Sequence, residues 1–301
     1  MTLPAGMDHR HYAYSPLPTR RLPRWRQGHW MAAYAVVFLE HWELLPPEGA
    51  LRDPRLVGEF GSFYPDYRSW TQREYGLRIG IFRVIEALKE VGIRPCIAAN
   101  AMAVERLPEL VEVLNAWGCE WVGHGLAATR IMHSKMPRSE QAAHIAQSLD
   151  ALQRATGRRP QGWISQDWGT SPETFELLAE AGIGYTLDLP NDEQPYRLLT
   201  QPGLLSIPFS AEWDDVQCQW LRFVEPRAHA RLAGEAFERM ARDCEAQSRP
   251  AVFNVSIHPW LSGMSSRVAA LRGMLARLRA VPGVWWTTPG DIHREAREWH
   301  A

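Results

Sequence analysis

Cysteine is scarce in this 301-residue chain: Cys96, Cys119, Cys218 and Cys244 are far apart and form no C-x-x-C pair. Without such a pair the four read as reduced core or surface thiols in a cytoplasmic protein. No apolar run approaches the roughly 20 residues that span a bilayer, so no membrane partner is expected. The N-terminus is rich in Pro, Arg and Tyr and lacks the apolar stretch of a secretory signal. Charge of one sign is lacking too. Thirty-three basic residues meet thirty-four acidic ones, for a net charge of -1. A strong electrostatic footprint for nucleic acid or anionic lipid is thereby excluded.

What is present is an ordinary globular composition, 46% hydrophobic and 22% charged, with no low-complexity tract or short repeat. Residues 1–30, with four prolines and the basic stretch Arg20 to Arg26, read as an irregular arm. It packs on its own domain or forms a contact between identical subunits in a homo-oligomer. From Ala33 the pattern turns regular. Ala35–Leu39 is a continuous apolar run, as expected of a strand buried on both faces. A Pro/Gly-rich excursion from Pro46 to about Thr71 is long enough to be an active-site loop. Strand-like runs follow at Ile93–Ala99, Cys119–Gly123, Gly162–Ser165, Ile183–Leu187, Leu204–Phe209, Ala251–Ile257 and Val284–Thr287. Helical spacing lies between them at Leu77–Val91, Val104–Trp117, Ser139–Thr156, from Ser171 to Gly182, at Arg227–Gln247 and after Pro289. Ser171 reads as the N-cap of its helix, with Pro172 at the first helical position. Such alternation without a composition break predicts one α/β domain over residues 31–301. About seven parallel strands in that length predict a distorted (β/α) barrel.

Catalytic side chains of such barrels gather at the carboxyl ends of the strands. Six strand ends here carry an acid, a histidine or both. Glu40-His41-Trp42-Glu43 follows the first strand, His124-Gly125 the third, and Gln166-Asp167-Trp168 the fourth. Asp188, then Ser210 and Glu212, then His258-Pro259-Trp260 follow later ones. Glu40 is a functional carboxylate or the cap of a turn. His41 is an idle exposed ring, or one that binds metal or orients Glu40. His124 lies between Gly123 and Gly125, which let the chain turn sharply. Pro259 biases His258 to an extended conformation that projects its ring from the strand end. Asp167 and Asp188 each orient a histidine or cap a helix. His133, His144, His229, His293 and His300 read as solvent or capping residues. Fourteen tryptophans are many for this length, and Trp42, Trp168, Trp213 and Trp260 flank the strand-end polar groups. They either stack on a substrate ring or plug the barrel mouth.

The run Gly157 to Trp163, the stretch Ser171 to Gly182, and Tyr185, Asp188, Asn191-Asp192 and Pro195-Tyr196 resemble the polysaccharide-deacetylase (NodB-homology) superfamily. The closer likeness is to its branch of allantoinases and cyclic-imide hydrolases. Ser256–Pro259 supports this, and the resemblance extends from about Ala33 to Trp286. It implies a distorted (β/α) barrel and hydrolysis of an amide C–N bond. Deacetylases of the superfamily carry Thr-Phe-Asp-Asp-Gly at the first strand end, where one Asp is the base and the next binds zinc. An H-x-x-x-H motif completes the metal site, and a later His is the acid. By position, the resemblance gives Glu40 as the base, His41 in place of the metal-binding Asp, His124 as the first metal His and His258 as the acid. Ala128 stands where the second metal His belongs, so His41 and His124 fall short of the three ligands usual for catalytic zinc. The expectation is no cofactor, or a weakly bound divalent metal such as zinc.

Amide hydrolysis needs a base for water, a donor for the oxyanion and an acid for the leaving nitrogen. Glu40, His124 and His258 are the candidates for these roles. Trp42, Asp167, Trp168, Asp188, Trp213 and Trp260 are the candidates for binding a small-molecule substrate. The leading expectation is a hydrolase that opens a small cyclic amide, imide or ureide. The alternatives are a metal-dependent N-deacetylase of a sugar or peptidoglycan-like substrate and a non-catalytic ligand-binding barrel.

Overall fold

A computed structural model describes residues 3–50 and 65–299. Nine strands and ten helices alternate along these residues. The first half runs β1 (Met31–Leu39), α1 (Tyr67–Tyr75), α2 (Ile81–Glu90), β2 (Cys96–Ala99), α3 (Ala101–Arg106), α4 (Pro108–Trp117), β3 (Glu120–Gly123) and α5 (Arg138–Thr156). It continues through β4 (Gly162–Trp163), α6 (Thr174–Glu180), β5 (Tyr185–Thr186), β6 (Tyr196–Arg197) and β7 (Leu205–Ser206). The chain ends with α7 (Pro226–Gln247), β8 (Ala251–Ile257), α8 (Pro259–Ser262), α9 (Val268–Arg279), β9 (Val284–Trp286) and α10 (Pro289–Trp299).

The strands form one sheet in the order β6-β7-β5-β4-β3-β2-β1-β8, with β9 also paired to β1. Every pairing is parallel except β6 with β7. The sheet curls on itself. Beyond β7 the chain returns beside β8, where Asp214 bridges to Ser256 and Ser210 N–H donates to Asn254 Oδ1 at 2.6 Å. The expected distorted (β/α) barrel is what the chain forms, with the short antiparallel β6 as the one strand that the apolar runs did not reveal.

All nine residues of β1 are buried, because both faces of the strand are covered. Ala33, Ala35, Val37 and Leu39 pack outward in the same cluster as Ile81, Val84, Leu88, Leu271 and Leu275 of the surrounding helices. Ala32, Tyr34, Val36 and Phe38 point inward, with Cys96, Ala98, Val122, Ile164, Leu187, Ile207 and Val252. This alternation decides which residue at each strand end reaches the barrel mouth.

Of the excursion read from Pro46 to about Thr71, residues 51–64 lie outside the described residues, and its end is already helical in α1. A π-helical turn, Gly76–Gly80, joins α1 to α2, so the helix expected from Leu77 begins a full element earlier. The helix after Ser171 starts only at Thr174, with Glu173 in the N-cap position. Ser171 Oγ instead accepts the Glu173 N–H at 3.1 Å, a local turn that delays the first helical residue. The N-terminal segment lies along the barrel. Trp25 is buried against Trp299, ring centroids 4.1 Å apart, and donates from Nε1 to Ala251 O. Arg20 pairs with Asp192 at 2.7 Å. No helix among the described residues is long and apolar enough to cross a membrane.

Candidate active site

Continuing the inward phase of each strand by one residue past its end builds the site. On β1 the inward set Ala32, Tyr34, Val36, Phe38 continues to Glu40. On β2, Cys96 and Ala98 continue to Asn100, and on β3, Val122 continues to His124. After β4, Ile164 continues to Gln166, and on β8, Val252, Asn254 and Ser256 continue to His258. All five of these strand-end residues are buried. Glu40, His124, Gln166 and His258 line one small cleft together with Phe38, Asp167, Trp168 and Asp214. It holds about 330 Å³ of empty space, part of it open to solvent.

Glu40 Oε1 accepts from Gln166 Nε2 at 2.6 Å and lies 3.6 Å from His124 Nε2. Burial alone would push this carboxyl up. The His124 ring, the charge of His258 and the Gln166 amide outweigh burial and bring it down to about 2. The His124 Nδ1 lies 2.7 Å from Ile164 O. A carbonyl only accepts, so Nδ1 carries a proton and Nε2 is the atom left for chemistry. That Nε2 is buried and has no hydrogen-bond partner. Asn100 ties the two strand ends together. Its Nδ2 donates to His124 O at 2.5 Å, and its Oδ1 accepts the His41 N–H at 3.0 Å. Gly125 follows His124 with φ +79, and a Cβ there would meet His144 Nε2 at 2.8 Å. Only glycine suits both the conformation and the space.

His258 follows β8, the strand paired to β1, and its ring stacks flat on Phe38 of that neighbouring strand. Nδ1 is 2.6 Å from Asp215 Oδ1, and the His258 N–H donates to Asp215 Oδ2 at 2.9 Å. Burial would drive the imidazolium pKa down, but Asp215 and Asp214 hold it up to about 9. Burial, resisted by the His258 charge, raises Asp214 itself to about 6. The cleft therefore faces an ionised carboxylate with a protonated imidazole at neutral pH.

The structure brings Glu40, His124 and His258 together with Asp167 and Trp168. Asp167 and Trp168 have φ of 50 and 51, a costly conformation for a bulky residue and one that clusters at functional sites. Other expected site residues stand elsewhere. Asp188 is out of the inward phase of β5. Its carboxylate accepts from Ser165 N–H, Ser165 Oγ and Thr186 Oγ1 at 2.6, 2.9 and 3.0 Å, which braces the chain before Gln166. Trp213 stacks on outward-facing Phe253 and lines a different cavity outside the barrel. Trp42 and Trp260 lie over the guanidinium of Arg73 and are not among the residues that line this cleft. His144, His229 and His293 are buried and not at the surface; burial lowers His144 and His293 to about 4, so both stay neutral.

His41 takes the outward phase next to Glu40, and the charges that reach its ring are those of Arg106 and Glu43. Among the described residues no group of three metal-ligating side chains includes His41 or His124. The residues present therefore do not fit the zinc site of the deacetylases. Asp214, Asp215 and His258 do lie within a metal's reach of one another, but His258 Nδ1 is already bound to Asp215. Residues that strand-end reading passed over are Asn100, Gln166, Asp214 and Asp215. The two amides were findable by phase, since each stands where the inward register of its strand leaves the barrel.

No protein-family model matches the chain. A putative polysaccharide deacetylase of Schizosaccharomyces pombe is 24% identical over 245 residues, covering 76% of this chain and 75% of that protein. The solved structure of a probable polysaccharide deacetylase from Pseudomonas aeruginosa overlays with a TM-score of 0.79 at 23% identity, covering 93% and 95% of the two chains. That of the allantoinase Puue overlays with a TM-score of 0.83 at 24% identity, covering 99% of each. The resemblance read from the sequence is borne out, and the fold is that of the polysaccharide-deacetylase superfamily.

Proposed function

We infer that this chain, with the polysaccharide-deacetylase fold, is a hydrolase of non-peptide C–N bonds and opens a small cyclic amide, imide or ureide. The observation that carries this reading is that ionised Glu40 and protonated His258, at the ends of the paired strands β1 and β8, line one small cleft. Glu40 Oε1 is held by Gln166, which leaves Oε2 to orient water and take its proton as the C–O bond forms. A carboxylate held near 2 is a weak base. It suits a proton whose acidity climbs steeply as water attacks a carbonyl, and less a strong deprotonation beforehand. His124 Nε2, 3.6 Å from Glu40 and with its Nδ1–H turned to Ile164 O, lies where it accepts a hydrogen bond from the attacking water. His258, oriented through Nδ1 by Asp215, donates its Nε2 proton to the departing nitrogen. Nitrogen and the new carboxylate stay in one molecule when the bond lies in a ring.

The likeness to the allantoinase and the misfit of the residues to a three-ligand zinc site support ring opening over the alternative. That alternative, N-deacetylation of an acetylated sugar or peptidoglycan-like substrate, is favoured by the named activity of the S. pombe relative. Assaying the purified chain on allantoin, hydantoins, dihydropyrimidines, succinimide-type rings and chitin oligomers separates the two. Ring opening without acetate release is expected. Acetate release from chitin oligomers with every ring intact overturns the reading.

A further inference from the structure

Arg73 is the one buried arginine among the described residues, 4% exposed, near the end of α1. A buried guanidinium is costly unless its donors are used. Here the protein supplies ring faces instead of acceptors. The Arg73 Cζ sits 3.3 Å from the centroid of a Trp260 ring, 4.8 Å from Trp42 and 5.6 Å from Trp220. Its Nη1 is buried and has no hydrogen-bond partner. Trp260 in turn stands edge-on to the cleft residue His258, ring centroids 6.4 Å apart, and the carboxylates whose charge reaches Arg73, Glu40 and Asp167, both line that cleft. Stacking occupies the faces of the guanidinium and leaves the in-plane N–H edge free, which is the edge that matches two coplanar oxygens.

The backbone holds this arrangement in place. Directly after α1 the chain makes the π-helical turn Gly76–Gly80, an irregularity frequent at functional sites. A Cβ on Gly76 would meet Trp260 N at 2.5 Å, and one on Gly80 would meet Pro259 O at 2.0 Å. The two glycines thus let the helix lie directly on the segment that carries His258 and Trp260. Arg73, one turn before Gly76, is thereby fixed over Trp260.

We propose that Arg73 is a substrate-binding residue whose free N–H edge takes a carboxylate, so that the site favours small molecules that carry one, such as a ring-opened ureido acid. The proposal rests on the hydrolase reading above and adds the anion-binding group that ring opening calls for. Each charge-assisted hydrogen bond to a carboxylate is worth roughly 10- to 100-fold in affinity.

Calorimetric titration of the full chain tests it, with N-carbamoylglycine, the ring-opened form of hydantoin, and with N-acetylglucosamine. Arg73→Gln is expected to weaken N-carbamoylglycine at least about tenfold and to leave N-acetylglucosamine within about twofold. Arg73→Lys keeps the charge but loses the planar fork, so an intermediate loss is expected, and this variant decides the matter if Arg73→Gln does not fold. Equal affinity of N-carbamoylglycine for wild type and both folded variants overturns the proposal, as does its failure to bind wild type. Activity is scored separately. A chain that opens no ring but binds the carboxylate through Arg73 defeats the ring-opening reading alone. A chain that opens rings with Arg73-independent carboxylate binding defeats the Arg73 assignment alone.

Discussion

The His258 imidazole lies flat on Phe38, ring centroids 4.1 Å apart and planes within 4°. Phe38 stands two residues before Glu40 on the inward face of β1, so one strand supports the His258 ring and carries Glu40. The opposite edge of the same imidazole is fixed by Asp215. A neutral amide at that position keeps the shape and loses the charge. Asp215→Asn is expected to lower the His258 pKa from about 9 toward its ordinary value of 6.5. The alkaline limb of kcat/KM, placed near pH 9 in the wild type, moves down with it. The sign for stability follows from linkage. A raised imidazole pKa stabilises the fold fully below 6.5, and that stabilisation fades as pH rises through 9. The wild-type advantage over Asp215→Asn in denaturant unfolding therefore shrinks between pH 6.5 and 9. An alkaline limb that stays near 9 in the variant contradicts the assignment.

Gly125→Ala is expected to destabilise the fold by about 1–3 kcal/mol, since it forces a positive φ and a contact with buried His144. Urea unfolding measures this. Turnover should fall as well, because the same turn sets the position of His124. An alanine variant as stable as wild type would show that the turn tolerates a side chain.

Removing metal should change nothing. His41 faces away from His124, and no three-ligand group includes either among the described residues. Dialysis against a chelator is expected to leave turnover within about twofold, with well under one zinc per chain before treatment. Loss of activity on chelation, restored by zinc, contradicts this.

The barrel was legible because its strands are continuous apolar runs between helices of regular spacing, and Glu40, His124 and His258 follow from reading the polar residue at each strand end. Asking only for acids and histidines passed over Asn100 and Gln166, although both stand in the inward phase. The same lack of phasing accepted Asp188 and His41, which are one residue out of register with the barrel mouth. Asp214 and Asp215 follow an irregular turn where a period of two no longer applies. Arg73 lies on a helix more than thirty residues from Glu40, and only the folded chain places it over Trp42 and Trp260. Trp213 carried no local sign that its neighbour would be outward-facing Phe253.

Glu40→Gln tests the central claim most directly, because the side chain keeps its size and its place beside Gln166 but no longer accepts a proton. On a ring substrate that the wild type opens, kcat should fall by on the order of 10²–10⁴ with the melting temperature nearly unchanged and KM within a few-fold. Wild-type turnover in the folded Glu40→Gln variant would contradict the account.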